Sequence, residues 1–216
     1  MKNFKVVLSC SVLFAVAAQA GEPAGSPARI NDCPIRPATL CADLDLQNAR
    51  LANADLGMAD FSRALLNGAD LRSANLANAS LGHASLEGAD LRGAMLARAN
   101  MRKAEMSRAR MTGANLQRAR LRGAQMQEAN LEGADLARAQ LNDARLDGAR
   151  LRTSNLAGAN LNRAMLDGAD LRDSNLSGAL LQNASLRDAD LTGATLDGAN
   201  LSGARTRGCR GCPARE

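Results

Sequence analysis

Cys209 and Cys212 form a CxxC motif, the spacing with which two thiols act as a redox pair or supply half of a metal site. A redox thiol of this type needs a helix N-terminus beside it, and a tetrahedral metal site needs two further ligands. The flanking residues show no strand followed by a helix, and the sequence has no second CxxC. We therefore predict a structural disulfide, with redox or metal chemistry as the alternative.

Methionine and histidine are the other side chains that could bind a metal ion. Five methionines cluster in the middle of the chain, where thioethers could bind Cu(I): Met95, Met101, Met106, Met111 and Met126. All except Met95 replace a regularly spaced leucine, so we predict that they fill a core. His83 is the only histidine and has no grouped nucleophile or carboxylate. The sequence therefore predicts no enzyme, no metal, no cofactor and no small-molecule substrate.

Charge is the most informative polar feature. From Arg98 to Arg122 there are eight basic residues and one acidic residue, Glu105, whereas the flanking segments are slightly acidic. The predicted binding residues are Arg98, Arg102, Lys103, Arg118, Arg120, Arg122 and Arg138. This segment, the basic belt, predicts a surface for phosphate, carboxylate or an acidic protein, and the alternative is a solvated arginine-rich face.

The elements that position these residues follow from a five-residue period, visible in "LLNGADLRSANLANASLGHA" from Leu65. From Leu46 to Leu201 every fifth residue is Leu, Met or Phe, and the residue two before it, from Ala49 onward, is Ala or Ser. A step of five advances about 140° beyond one turn of a helix, and it alternates between the faces of a strand. The chain must therefore bend within each five-residue repeat so that Leu and Ala share one interior.

A longer period of twenty sets the number of bends in each coil. The stretch from Leu65 matches "MLDGADLRDSNLSGALLQNA" from Met165 best at multiples of twenty residues. Four repeats per coil predict a square cross-section and about eight coils in all. Arg98, Arg118 and Arg138 then stack on one corner, next to the other predicted binding residues.

The segments "ADLRSANL", "GADLRGAML" and "GANLNRAML" resemble the repeats of the pentapeptide-repeat family. The resemblance extends from Asp45 to Arg205 without a gap. The resemblance implies an all-β fold, a right-handed, quadrilateral β-helix with Leu and Ala inside. Some members resemble DNA in shape and charge and bind gyrase, which requires an acidic rod. This chain has a net charge of +5, so a topoisomerase-binding DNA mimic is the alternative function and nucleic acid is not an expected partner.

The first twenty residues have the organisation of a secretory signal. Lys2 and Lys5 precede an apolar run, and Ala18-Gln19-Ala20 forms a small-x-small cleavage site. The run is too short to span a bilayer, and lipidation at Cys10 is a weaker alternative because only nine residues precede it. We predict an exported protein, periplasmic or secreted, without a membrane span after cleavage.

The domain prediction places four segments along the chain: a signal peptide (1–20), a linker or cap (21–44), the repeat solenoid (45–205) and a tail (206–216). Exported proteins retain disulfides, and four cysteines outside the signal allow three connectivities. Both ends of the rod need caps, and a disulfide spans less than about 7 Å between Cα atoms. Pairing within each end, Cys33 with Cys41 and Cys209 with Cys212, is therefore expected.

These features together predict a non-enzymatic exported scaffold that binds another macromolecule through its rigid surface, with the basic belt as the contact. The partner is an unidentified protein or an anionic polymer of the envelope. The sequence leaves the oligomeric state, the physiological role and the choice between periplasm and exterior open.

Overall fold

The structure is a computed structural model that describes residues 29–213, so the predicted signal sequence lies outside it. Within these residues two strands are longer than a single bridge, β1 (Arg29–Ile30) and β2 (Cys33–Pro34), and they pair antiparallel. The connecting residues Asn31 and Asp32 both have positive φ, at 46° and 64°, as a two-residue type I′ hairpin requires. This hairpin covers the N-terminal end of the coil.

Beyond the hairpin the chain forms parallel β-bridges, each between residues twenty apart. They run in one unbroken register from Leu40 with Asp60 to Asp190 with Arg210. The chain thus lies against itself after every four repeats, and the all-β solenoid agrees with the period of twenty. The hand of the coil and the number of complete coils stay predictions.

Each repeat bends through a four-residue turn that begins at the buried leucine. In the first full repeat the N–H of Ala49 donates to the carbonyl of Leu46 at 3.1 Å, and Asn48 between them has φ of 56°. Positive φ at the third turn residue is the mark of a type II turn, which favours glycine or asparagine. Glycine fills many corners, but arginine occurs there too, as at Arg98 with φ of 60°. The corner N–H groups donate to the next coil, which holds this conformation.

The Asp or Asn before each leucine has a local structural role. The oxygen of this side chain accepts a hydrogen bond from the backbone N–H two residues later, as Asp60 does from Ser62 at 2.9 Å and Asn175 from Ser177 at 3.0 Å. That N–H makes no hydrogen bond to the neighbouring coil, so the side chain satisfies it. The repeat pattern therefore has a physical reason at its polar position as well as at its apolar ones.

The interior is a continuous column of leucine and alanine. The predicted inward residues from Leu46 to Leu191 are buried, including the four core methionines, except that Ala54 is only partly buried; Met95 is 47% exposed. Ser154 and Ser174 replace inward alanines, and their hydroxyls donate to the carbonyls of Leu151 and Leu171 at 2.6 and 2.7 Å. These findings confirm the inward and outward assignment.

At the N-terminal end a disulfide joins Cys33 to Cys41, with Cα atoms 5.3 Å apart. Cys41 occupies the leucine position of a repeat and Thr39 its alanine position, and both are buried. The bridge between Leu40 and Asp60 belongs to the same register, so the coil continues into the segment that the sequence assigns to the cap. Cys33 is fully buried and closes the core at this end.

At the C-terminal end Cys209 lies in an alanine position, and a disulfide joins it to Cys212. The last repeats are less covered, since Leu196 and Leu201 are only partly buried. Gly211 packs on the backbone after Leu191, where an added Cβ would lie 2.6 Å from a carbonyl oxygen. Across the described residues no helix is long and apolar enough to cross a membrane.

Candidate functional site: the basic belt

The coil brings the seven predicted binding residues to one side of the rod. Arg98, Arg118 and Arg138 share one corner, and Arg120 is at the middle of the adjoining face. The next corner carries the remaining three, which are Arg102, Lys103 and Arg122. All seven side chains are exposed. We call this one face with its two flanking corners the belt side.

The three stacked arginines form a ladder at the spacing of neighbouring strands, about 4.8 Å. The N–H of Arg98 donates to the carbonyl of Gln117, and the N–H of Arg118 to that of Ala137, both at 2.9 Å. At the end of the ladder the Cγ of Arg138 lies 3.5 Å from where a Cβ of Gly158 would be, so its side chain leans over the glycine. Like charges at this spacing repel unless an anion or solvent neutralises them.

Acidic partners are scarce on the belt side. Among the described residues only Arg122 of the seven forms an ion pair, with its Nε 3.4 Å from Oδ2 of Asp143. Asp143 also pairs with Arg163, whose NH2 lies 2.6 Å from Oδ1. The unpaired basic residues therefore end at this corner. Six of the seven basic residues therefore carry charge that the described part of the chain leaves unpaired.

The opposite side of the rod is also rich in arginine but pairs most of its arginines, although Arg50 and Arg150 form no ion pair among the described residues. Three repeats with the sequence "ADLR" place Asp and Arg on either side of one buried leucine. In these repeats the arginine NH2 lies 2.6 to 2.7 Å from the aspartate Oδ2: Arg72 with Asp70, Arg92 with Asp90, and Arg172 with Asp170. The contrast between paired and unpaired arginines distinguishes the belt side.

The paired aspartates titrate at lower pH than free ones. Hydrogen bonds from the neighbouring guanidinium lower the pKa of Asp70, Asp90 and Asp170. Burial raises the pKa of these carboxyls, and the hydrogen bond from the arginine's own backbone N–H lowers it further. A pKa below the unfolded value of about 3.9 means that the native state favours the charged form. These groups therefore stabilise the rod above that pH, and the contribution disappears as the pH falls through the lowered pKa.

Replacing Asp70, Asp90 and Asp170 together by Asn should reduce the loss of stability in acid. Each Asn keeps an oxygen for the backbone N–H but no longer titrates. We expect the melting temperature of the wild type to fall more between pH 7 and pH 2.5 than that of the triple variant. An equal fall in the two proteins would show that these pairs do not contribute to acid sensitivity.

The repeat pattern is shared with a known protein family. The family profile described as Pentapeptide repeats matches residues 45–81, 74–113, 114–152, 134–173, 144–183 and 166–207. These matches extend over most of the chain and confirm the resemblance in the sequence. The chain belongs to the pentapeptide-repeat family.

Solved structures of the family are similar to this pentapeptide-repeat protein. HetL, from the cyanobacterium Nostoc and involved in heterocyst differentiation regulation, is 35% identical; the match covers 81% of this chain and 84% of HetL, with a TM-score of 0.54. QnrB1, a plasmid-mediated fluoroquinolone resistance protein, is 17% identical over 77% of this chain and 90% of its own, with a TM-score of 0.46. No curated protein matches the sequence.

The other candidate sites of this pentapeptide-repeat protein remain separate from one another. Cys209 and Cys212 are bonded to each other at the C-terminal end, and His83 is an exposed corner residue. Within residues 29–213 no group of three or more His, Cys, Asp or Glu side chains is arranged to hold a metal ion.

Five carboxamides, which carry no charge and form no known motif, are a further feature of the belt side. They line a shallow hollow of about 370 Å³ on the belt side, together with one arginine: Asn142, Asn160, Asn162, Arg163, Gln182 and Asn183. The signal for them is the period itself, because Asn142, Asn162 and Gln182 are twenty residues apart. We call this feature the amide hollow.

Proposed function

We propose that this pentapeptide-repeat protein is an exported, non-enzymatic scaffold that binds an anionic macromolecule through the basic belt. Its body would be a right-handed, four-sided coil of about eight turns. The observation that carries the proposal is the row of unpaired arginines on one side of a rod that pairs most of its arginines on the other side. Stacked arginines without carboxylate partners attract a polyanion, because its charges neutralise theirs.

One belt residue, like Arg50, Arg145 and Arg150 elsewhere in the rod, replaces the Asp or Asn that accepts a local hydrogen bond. Arg120, at the middle of the belt side, stands at the polar position where Asp or Asn in other repeats accepts the N–H two residues later. An arginine has no acceptor and cannot make this bond, which contributes about 1 kcal/mol in typical cases. Arg120 therefore does less for the fold than Asp or Asn would, and its side chain is left for a role at the surface.

Export is proposed from residues 1–20 together with the cysteines. Disulfides form and persist mainly in oxidising compartments, and both cysteine pairs of the described chain are bonded. A DNA mimic that binds a topoisomerase is the alternative, but it would need a negative surface in place of the exposed belt. Redox or metal chemistry at the C-terminal CxxC is the other alternative.

Neutralising the arginine ladder should weaken binding to polyanions. We expect the Arg98→Gln, Arg118→Gln, Arg138→Gln variant to elute from immobilised polyglutamate, and separately from polygalacturonate, at much lower salt than the wild type. Three lost contacts should reduce the slope of log K against log salt by about two to three, by analogy with counterion release from nucleic acids. Salt gradients on both matrices measure this.

The matched control changes Arg72, Arg92 and Arg172 to Gln, which removes the same charge from the opposite side. Because Asp70, Asp90 and Asp170 already neutralise these arginines, we expect a small change in elution. Equal changes in the two variants would mean that net charge alone determines retention, and the belt would then have no special role. Affinity capture from the native envelope with the same variants extends the test to the natural partner.

A further inference from the structure

The amide hollow is continuous with the basic belt along one side of the rod. Asn160 follows Arg120 and Gln140 in the bridge register of a single face. Two coil spacings separate it from Arg120, which is about 10 Å. A linear ligand lying along this side would therefore contact the arginines and the carboxamides at the same time.

The carboxamides of the hollow are oriented by the backbone. Oδ1 of Asn160 accepts from the N–H of Asn162 at 3.1 Å, and Oδ1 of Asn162 accepts from the N–H of Gln182 at 3.0 Å. With both oxygens engaged, the Nδ2 groups of Asn160 and Asn162 are the donors that remain for a ligand. Two donors are thus fixed within one repeat, two residues apart along the chain, on either side of the buried Leu161.

The same side also holds acceptors without donors. Oε1 of Gln182, which lines the hollow, is buried and has no hydrogen-bond partner among the described residues, and the same holds for Oδ1 of Asn100 within the belt. A buried acceptor without a donor is unfavourable, so turning the Gln182 amide toward a donor on a ligand would relieve it. The hollow needs a group that both donates and accepts, and a hydroxyl does both.

The charge of the hollow differs from that of the belt. Its one cation, Arg163, is neutralised by Asp143, so the hollow favours neutral polar groups while the belt favours anions. An acidic protein would match the belt but offers few hydroxyls at regular spacing. On the basis of the proposed function, we infer that the partner is an anionic polysaccharide: its carboxylates or phosphates bind the arginines, and its hydroxyls bind the amide hollow.

The test compares two polyanions on the full mature chain. Polygalacturonate carries carboxylates and hydroxyls, whereas polyglutamate carries carboxylates alone. We expect the wild type to bind polygalacturonate more tightly at equal salt and equal carboxylate concentration. The Asn160→Ser, Asn162→Ser, Gln182→Met variant should lose on the order of tenfold in affinity for polygalacturonate and little for polyglutamate, because each lost hydrogen bond reduces affinity a few-fold.

The two serine substitutions are compatible with the fold, because Ser62 and Ser80 fill the equivalent positions earlier in the rod. The matched control, Asn130→Ser, Asn175→Ser, Gln127→Met, changes the same residue types outside the hollow and should leave both affinities unchanged. Equal melting temperatures of the two variants would exclude an effect through unfolding.

The outcomes separate this inference from the proposed function. If the ladder variant weakens binding to both polymers but the hollow variant changes neither, the belt stands and the polysaccharide inference is wrong. Tighter binding to polyglutamate would point to an acidic protein and would also overturn it. If neither polymer binds in a way that depends on the ladder, the proposed function is wrong and the inference is lost with it.

Discussion

A Leu146→Asp variant should lose most of its cooperative thermal unfolding transition. Leu146 is fully buried in a column of inward side chains, with repeats above and below it. The change removes an apolar side chain, whose burial contributes about 1.5 to 3 kcal/mol, and places an unpaired carboxylate in the core at a cost of several kcal/mol more. That sum approaches the total stability of many domains. Far-ultraviolet circular dichroism and calorimetry measure the loss.

The neighbouring residue supplies the control for this variant. Arg145 is exposed and points away from the core, and its side chain makes only a long ion pair to Asp147, at 3.7 Å. Arg145→Ser should change the free energy of unfolding by less than about 1 kcal/mol. In a rod each repeat contacts only its neighbours, so the damage from the Leu146→Asp change should spread to adjacent coils first. Similar melting temperatures for the two variants would mean that the inward assignment is wrong.

The interior could be predicted from sequence because it depends on a strict period. A buried column tolerates only apolar side chains of similar size, so Leu, Met and Phe recur every fifth residue without interruption. The pairing of residues twenty apart follows from the similarity of repeats on the same side. The disulfide pairing also follows, because the rod separates the two ends by more than a disulfide can span.

The sequence predicts the coil only over residues 45–205, whereas the structure continues it to Leu40 at one end and to Arg210 at the other. Thr39 and Cys41 occupy inward positions, but neither is Ala or Leu, so the register is hidden from a search for the repeat. Cys209 replaces an inward alanine in the same way at the other end. The hairpin at Asn31 and Asp32 is outside the period altogether, and its two positive φ angles depend on local turn chemistry.

The charge of the belt could be predicted, but its distribution over paired and unpaired arginines could not. Whether two charged side chains pair depends on how close the folded coil brings them, and the amino-acid composition does not show this. Arg122 is close to Asp143 although twenty-one residues separate them, because the coil places the two in successive layers. Asp70 and Arg72 flank one inward leucine, but their spacing of two does not by itself show that the guanidinium reaches the carboxylate. The amide hollow became visible only with the hydrogen bonds that orient its side chains.

Loss of the N-terminal disulfide should be the second most damaging change. Cys33 and Cys41 are both buried and are eight residues apart, so the bond both restrains the unfolded chain and closes the core. Chain entropy alone predicts about 2.5 kcal/mol for a loop of this length. Replacing both by Ala also weakens the cover over Phe61, which occupies the equivalent inward position one coil later. We expect a total loss of about 3 to 4 kcal/mol in guanidinium titrations.

The C-terminal disulfide provides the comparison because it closes a shorter loop than the N-terminal one and so restrains the unfolded chain less. Cys209 and Cys212 are three residues apart and only partly buried, so the same entropy argument predicts about 2 kcal/mol or less for their replacement by Ala. Reduction of the wild type should reproduce the sum of the two losses, since the bonds are at opposite ends and share no neighbours. If the C-terminal variant were the less stable of the two, the end at Leu196 and Leu201 would depend on its disulfide more than the N-terminal core does. The hairpin would then close the rod without needing its bond.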